Sequence, residues 1–311
     1  MPFFSVIIPL YNKEDLVEQT INSLLNQLYT DFEVIIVNDG STDNSLKKIE
    51  SLIDDRFKIV NQKNLGASHA RNRGIDEASG SYIALLDADD YWYDNHLLEL
   101  KKLIDTFPEA GLFCNNYEIN YNEKFTKPAT FNFIHNNKSL IIEDYFSSSI
   151  INSVAWTSSV AFKKETFNKI GGFNPVLEIA EDLDLWIRFA LNYYVCFNPK
   201  ITMTYNKSVS GSLSKKEFND IRYRFVNNYP EQEQKDSALK LYLDINRYAV
   251  ALRCKMTKEI DLYKKLKSEI DFKNLNFKQK VLINCPLSVL KGIKLFQQFL
   301  INNNIYLTAY K

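Results

Sequence analysis

The chain has 311 residues, 45% of them hydrophobic and 14% aromatic, enough for a sizeable core in one large domain or one domain with an appendage. Lys+Arg and Asp+Glu number 38 each, and this zero formal net charge gives no indication of a nucleic-acid partner. The scattered Cys114, Cys196, Cys254 and Cys285 carry no CxxC or Cys/His spacing, which argues against a zinc site or disulfide scaffold and fits a reducing cytosol.

The N-terminus enters a strand at once, with no basic leader segment, and no apolar run reaches the roughly 18–20 residues a bilayer span needs. Phe4–Pro9 reads as a buried strand. Lys13–Leu28 carries Val17, Thr20, Ile21, Leu24, Leu25 and Leu28 at helical spacing. Glu33–Val37 is a second strand, ended by the breaker Asn38-Asp39-Gly40. Ser41, Thr42 or Asp43 can cap a helix running to about Ile53. Phe57–Val60 is a strand, Gly66–Ala78 a helix, Tyr82–Asp87 a strand and Asp94–Thr106 a capped helix. This alternation, with strands apolar throughout, predicts a mostly parallel sheet covered on both faces.

Ligands of such sheets bind beyond the carboxyl ends of the strands. The polar clusters fall there: Pro9-Leu10-Tyr11-Asn12 after the first strand, Asp39 after the second, Asp87 and Asp89 after the fourth. Asp87-Ala88-Asp89-Asp90 stacks three carboxylates at a strand end, which is costly unless positive charge sits there. A divalent cation carrying a diphosphate would supply it.

The middle of the chain is less regular. Gly111–Ile119, Ser158–Phe162, Tyr194–Phe197 and Ile201–Tyr205 look like strands, and Lys163–Lys169 a short helix stopped by Gly171-Gly172. Glu181 opens an amphipathic helix with acids at its start. Ser208–Ser214 is a small-residue loop. From Lys215 the pattern is helical. Residues 272–311 hold six lysines, no acid and many apolar residues. Two readings stand for this tail: a helix on an anionic membrane surface, or one packed on the main domain or on a second copy.

Taken together, Ser5–Asn12 (SVIIPLYN), Val34–Ser45 (VIIVNDGSTDNS), Asn64–Ile75 (NLGASHARNRGI), Leu86–Trp92 (LDADDYW) and Glu181–Trp186 (EDLDLW) resemble the family 2 glycosyltransferases of the GT-A fold. The five motifs stand in the family's order over about residues 4–214. The resemblance implies an α/β GT-A fold, Rossmann-like; residues beyond about 215 lie outside it, and their helical pattern reads as a C-terminal extension over 215–311. The nucleotide-binding half would be 1–110 and the acceptor half 111–214. It implies inverting transfer of a hexosyl or N-acetylhexosaminyl group from a UDP-sugar, with Mn²⁺ or Mg²⁺, to a glycan or lipid-linked acceptor. Surface polysaccharide synthesis in the cytoplasm or at the inner membrane face follows as the setting.

By the same resemblance, Asp39 accepts the uracil N3–H, although Asn-Asp-Gly is also a good turn. Pro9 and Tyr11 cradle the nucleoside. Glu14 either accompanies them or favours a helix N-terminus. Arg71 reaches phosphate or base, or pairs with a clustered acid close to Asp39 or Asp87. Asp87 faces the ribose and Asp89 ligates the metal; Asp90 reads as a helix cap. Asp182 is the catalytic base, with Glu181 and Asp184 as alternatives, and Trp156 and Glu181 lie on the acceptor side. Where many relatives carry Tyr-Arg and a His, this chain has Tyr205-Asn206-Lys207 and no His, so a third metal ligand is missing and Lys207 could serve phosphate instead. A sugar-1-phosphate nucleotidylyltransferase would need a Gly-rich loop after the first strand, which is absent. A non-catalytic relative would lack Asp89 or Asp182; both are present.

Overall fold

The computed structural model describes residues 1–209 and 217–310. In chain order the elements are β1 (Phe4–Leu10), α1 (Val17–Leu25), β2 (Phe32–Asn38), α2 (Ser45–Ile49), β3 (Phe57–Asn61), α3 (Ala67–Glu77), β4 (Tyr82–Leu85), β5 (Tyr91–Trp92) and α4 (His96–Thr106). Then follow β6 (Leu112–Asn122), β7 (Phe125–Pro128), β8 (Leu140–Ile141), α5 (Tyr145–Ser148), β9 (Val160–Lys163), α6 (Lys164–Ile170), α7 (Glu181–Asn192) and β10 (Val195–Asn206). The C-terminal helices are α8 (Asn219–Val226), α9 (Pro230–Lys235), α10 (Ser237–Thr257), α11 (Ile260–Glu269), α12 (Phe277–Asn284) and α13 (Leu287–Asn302). The expected boundary at residue 214, and residues 210–214 of the expected small-residue loop, lie outside the described residues.

The sheet runs β3-β2-β1-β4-β9-β6-β10-β5, with β7 on β6 and β8 on β10. Its first half is parallel: β1 pairs with β2 and β4, and β2 with β3. Beyond β4 the antiparallel β9 joins it to β6, which pairs in parallel with β10. The uninterrupted apolar strands arise because both faces are covered. Ile7, Ile35 and Val37 enter the core under α3 and α7, while Val6, Ile8, Val34 and Ile36 enter the one under α1 and α4. The α7-side core continues into α10 through Leu239, Tyr242, Leu243 and Cys254, so the C-terminal helices share the interior on that side of the sheet.

Four elements differ from the sequence reading. Helix α1 starts at Val17, not Lys13, because the loop after β2 captures the preceding amides. Asn12 N donates to Ser41 Oγ (3.2 Å), Lys13 N to Ser45 Oγ (2.7 Å) and Glu14 N to Asp43 Oδ2 (3.0 Å). Side-chain acceptors that satisfy amides outside a helix compete with the helix itself. Helix α2 is only Ser45–Ile49, and α4 begins after Asn95 without a side-chain cap. The two strands expected around Pro199 are one, β10, whose pairing with β6 shifts register between Asn198 and Ile201. A bulge absorbs the proline.

Gly74 shows how closely α3 sits on the sheet. A Cβ there would lie 2.5 Å from Ile7 Cγ2 and 3.1 Å from Val37 Cγ2. Overpacking of this kind costs about 1–3 kcal/mol, against about 1 kcal/mol gained in helix propensity. Gly74→Ala is therefore expected to lower stability by about 1 kcal/mol or more, read as a shift of the urea midpoint at unchanged slope; an equal or higher midpoint would refute the close approach.

Candidate active site

The ends of β1, β2 and β4 and the first turn of α7 meet at one edge of the sheet. The three carboxylates after β4 do not share a cation there; each has its own partner. Asp87 Oδ1 pairs with Arg71 Nη2 at 2.7 Å. Asp89 Oδ2 pairs with Lys13 Nζ at 2.6 Å. Asp90 turns inward, accepting from Ser158 Oγ (2.6 Å) and from the Asn206 amide (3.0 Å). Asp90 is thus not a helix cap. It ties the carboxylate run to the segment before β9 and to the end of β10. Burial, then the Asp89 and Asp87 charges, push its carboxyl well above the usual range. Burial likewise raises Asp89, against the pull of Lys13.

Asp39 is buried and organises the turn into α3. Its Oδ1 accepts from Gln62 Nε2 (2.7 Å) and the Leu65 amide (2.8 Å), and its Oδ2 from the Gly66 amide (2.8 Å). Three donors leave about one of a carboxylate's four acceptor positions for a ligand. Gly66, with φ 91°, takes the left-handed conformation that brings its amide to Asp39. Pro9, the last residue but one of β1, is half-buried, and the Tyr11 ring just beyond the strand is 45% exposed, open to stacking. The Glu14 carboxylate accepts from the amide and side chain of Asn44 (3.0 and 2.9 Å), so it joins two loops rather than opening a helix.

Arg71, from the first turns of α3, reaches across the site. Its second arm, Nη1, meets Glu181 Oε1 at 2.7 Å, so one buried guanidinium bridges the end of β4 and the start of α7. The Phe173 ring lies 5.4 Å from its carbon. The carboxylates hold the guanidinium strongly protonated despite burial. The neighbouring Asn72 pins the backbone of Phe173 in both directions (2.8 and 3.0 Å), fixing the loop after Gly171-Gly172 against α3.

Three acids, Glu181, Asp182 and Asp184, open α7, where the helix dipole favours anions. Asp182 Oδ1 accepts from the Leu183 amide (2.7 Å) and Oδ2 from Thr157 Oγ1 (3.2 Å). Burial raises its pKa while Arg71 opposes the shift. Burial, and next the Asp182 charge, push the Glu181 carboxyl up to about 7 against Arg71. Asp184 faces the other way, holding Arg188 (2.8 Å) and Tyr229 Oη (2.6 Å), so it is not available as a base. Trp156, half-buried, stands next to Thr157 with its ring 4.2 Å from Tyr205. Trp186 is fully buried in the core. Lys207 lies over the Tyr121 ring at 4.9 Å.

Lys13, Gln62, Thr157 and Ser158 were not singled out from the sequence, because their partners are 23 to 76 positions away. Among the described residues no group of three or more His, Cys, Asp or Glu side chains is arranged to hold a metal ion. Asp89 already carries one cation, the Lys13 ammonium. A divalent ion there would have one protein carboxylate and complete its shell with phosphate oxygens and water, a mode magnesium commonly adopts. The donor set fits an ion that arrives with a diphosphate.

A model of glycosyl transferase family 2 matches residues 5–171, more than half of the chain. The chain belongs to glycosyl transferase family 2. The putative teichuronic acid biosynthesis glycosyltransferase TuaG of Bacillus subtilis is 30% identical over 217 residues, 68% of this chain and 82% of TuaG. An uncharacterized glycosyltransferase of Nostoc sp. is 32% identical over 179 residues, 55% of this chain. This chain spans 54% of the length of that Nostoc relative, and 27% of the EpsJ glycosyltransferase of Bacillus subtilis. The crystal structure of S. aureus TarS 1–349 in complex with UDP-GlcNAc superimposes with a TM-score of 0.68 at 20% identity, covering 87% of this chain and 82% of that one. The fold is therefore GT-A.

Removing the guanidinium leaves two carboxylates without their shared partner. Arg71→Ala is expected to destabilise the protein by about 3 kcal/mol or more. The deficit should be largest above pH 7, where Glu181 with its pKa near 7 is ionised, and narrow on acidification as the acids protonate. Chemical denaturation at several pH values measures this; a small, pH-independent deficit would contradict the bridge.

Proposed function

We propose that the chain is an inverting glycosyltransferase that moves a hexosyl or N-acetylhexosaminyl group from a UDP-sugar to a hydroxyl of a glycan or lipid-linked acceptor in surface polysaccharide synthesis. One observation carries the reading. Asp87 after β4 and Glu181 at the start of α7, about a hundred positions apart, share one buried guanidinium at 2.7 Å on each side. Donor-side and acceptor-side groups are thereby held in one rigid assembly, as a direct displacement requires.

Asp182 takes the proton of the acceptor hydroxyl while its oxygen attacks the anomeric carbon. The bond from that carbon to the diphosphate oxygen breaks, and its electron pair leaves with UDP. The buried Asp182 carboxylate is anchored by the Leu183 amide and Thr157, which orients a general base before the acceptor arrives. Asp39 uses its remaining acceptor position for the uracil N3–H, with Pro9 and Tyr11 against the nucleoside. Asp87 faces the ribose and keeps Arg71 beside the nucleotide. Asp89 would hold Mg²⁺ or Mn²⁺, which when bound supplies Lewis acidity to the leaving diphosphate. Lys13, the present counter-ion of Asp89, then becomes free to meet a phosphate oxygen. That TarS was crystallised with UDP-GlcNAc and with UDP supports the donor class, and the name of TuaG supports a surface polymer as product.

Asp182→Asn is expected to cut transfer by about 10²- to 10⁴-fold, the usual worth of a general base, while UDP affinity stays within a few-fold. A UDP-release assay across common UDP-sugars measures the first and calorimetry the second; near-normal transfer would remove Asp182 as base. Asp89→Ala is expected to abolish the dependence of UDP affinity on Mn²⁺. Calorimetric titrations of UDP with and without the ion that retain the wild-type difference would overturn the ligand assignment.

A further inference from the structure

Helix α13 has one buried residue, Leu290. Val289, Ile293, Leu295, Phe296 and Phe299 are exposed, between 43% and 73%. At about 100° per residue they fall within one arc of about 160°. The Phe296 and Phe299 rings stack at 6.5 Å, which makes the strip continuous. Phe277 on the neighbouring α12 is also exposed, at 81%. Isolated exposed apolar residues need no explanation, but a continuous strip of this kind marks an interaction surface.

Charge selects the occupant. Residues 272–311 carry six lysines and no acid, and Lys278, Lys280, Lys291 and Lys294 are exposed around the apolar strip. A symmetric contact with a second copy sets the same patch against itself. It would bring two sets of lysines together with no acid from either tail. An anionic lipid surface takes both parts of the face: apolar side chains enter the acyl boundary and lysines reach the headgroups. No helix among the described residues is long and apolar enough to cross a membrane, so such contact lies in the interface plane.

The same segment borders the acceptor side of the site. Asn122 Nδ2, at the end of β6, donates to Ile301 O of α13 at 3.3 Å. Tyr306, just beyond α13, lies 4.8 Å from the Tyr121 ring. Tyr205 on β10 pairs in register with Ile119, two positions before Tyr121 on the same face of the sheet. Tyr205 in turn contacts Trp156, next to the Thr157 that holds Asp182. An aromatic edge thus leads from the base to the exposed helix.

We propose that the apolar and basic face of α12 and α13 docks on an anionic lipid bilayer and sets the acceptor edge of the site at its surface. The docking stands on this face alone; the acceptor edge rests on the reading of Asp182 given above. The test uses the full chain without nucleotide. It is sedimented with vesicles of phosphatidylcholine containing about a third phosphatidylglycerol, and with phosphatidylcholine alone. Binding is expected on the anionic vesicles, weakening as salt screens the lysines. Leu295→Glu with Phe296→Glu and Phe299→Glu, or Lys291→Glu with Lys294→Glu, should reduce it at least about tenfold. These residues are exposed, so the variants should keep the wild-type melting temperature. Because α13 could still unravel, Val289→Trp with Ile293→Trp gives a second test, expected to strengthen binding. Sedimentation unaffected by either set of glutamates, or a wild-type dimer in analytical ultracentrifugation that the same glutamates dissociate, would overturn the proposal. Vesicle binding without UDP release from any UDP-sugar would leave the docking standing and remove the transferase reading instead.

Discussion

The structure depends on one buried cation. Burying a guanidinium is costly, and it is stable here because two carboxylates meet it at hydrogen-bond distance. Each of those carboxylates comes from a different element, so the pair of contacts fixes the end of β4 relative to the start of α7. Helix α3, which supplies Arg71, is itself held by Asp39 at the end of β2 through the Leu65 and Gly66 amides. A chain of charged contacts therefore runs β2–α3–β4–α7, and every side chain assigned to nucleotide or base lies on it or beside it. Displacing any of the four elements would strand a buried charge.

The run Asp87-Ala88-Asp89-Asp90 illustrates how a protein tolerates three neighbouring carboxylates. Three different partners, rather than one shared cation, relieve the repulsion: a guanidinium, an ammonium, and a hydroxyl with an amide. The partners differ in how easily they can be given up. Asp90 is tied to the main chain of β10 and to buried Ser158, and Asp87 to a buried arginine whose other arm holds Glu181. Asp89 is bound to a single flexible lysine that retains contact with solvent. Asp89 is consequently the member of the run that can exchange its partner for a ligand with least disturbance.

The parallel half of the fold was legible because its strands are apolar on both faces and its helices carry their own period. Helix limits were less so. The start of α1 is decided by Ser41, Asp43 and Ser45, which lie some thirty positions on and capture its would-be first amides. Two strands were expected on either side of Pro199, whereas the single strand β10 carries that proline at a register shift. In the site, the motif acids were legible through their family resemblance, and the expectation that Arg71 pairs near Asp87 agrees with the contact found. Its second partner, Glu181, lies 110 positions away, and no local pattern encodes that pairing. Lys13 was hidden for the same reason: it follows a recognisable motif but acts on Asp89. Asp90 was misread because a third acid before a helix looks like a cap, whereas its partners come from β10 and the segment before β9.

The C-terminal helices are more than an appendage to this assembly. Asp184, one turn from Glu181 on α7, is gripped by Tyr229 Oη at 2.6 Å and by Asn228 at 3.3 Å, both from the C-terminal region. On its other side the same turn is held by Arg71. The helix that carries Asp182 is thus clamped between α3 and the C-terminal region, and Leu239, Tyr242 and Leu243 of α10 share its core. A clamp with two jaws transmits displacement. Any partner that moves the C-terminal helices must either break the Tyr229–Asp184 contact, leaving a buried acid with fewer donors, or carry the first turn of α7 with it. A surface that engages the C-terminal helices therefore acts on the same assembly that holds Asp182, so the position of those helices and that of the first turn of α7 are coupled.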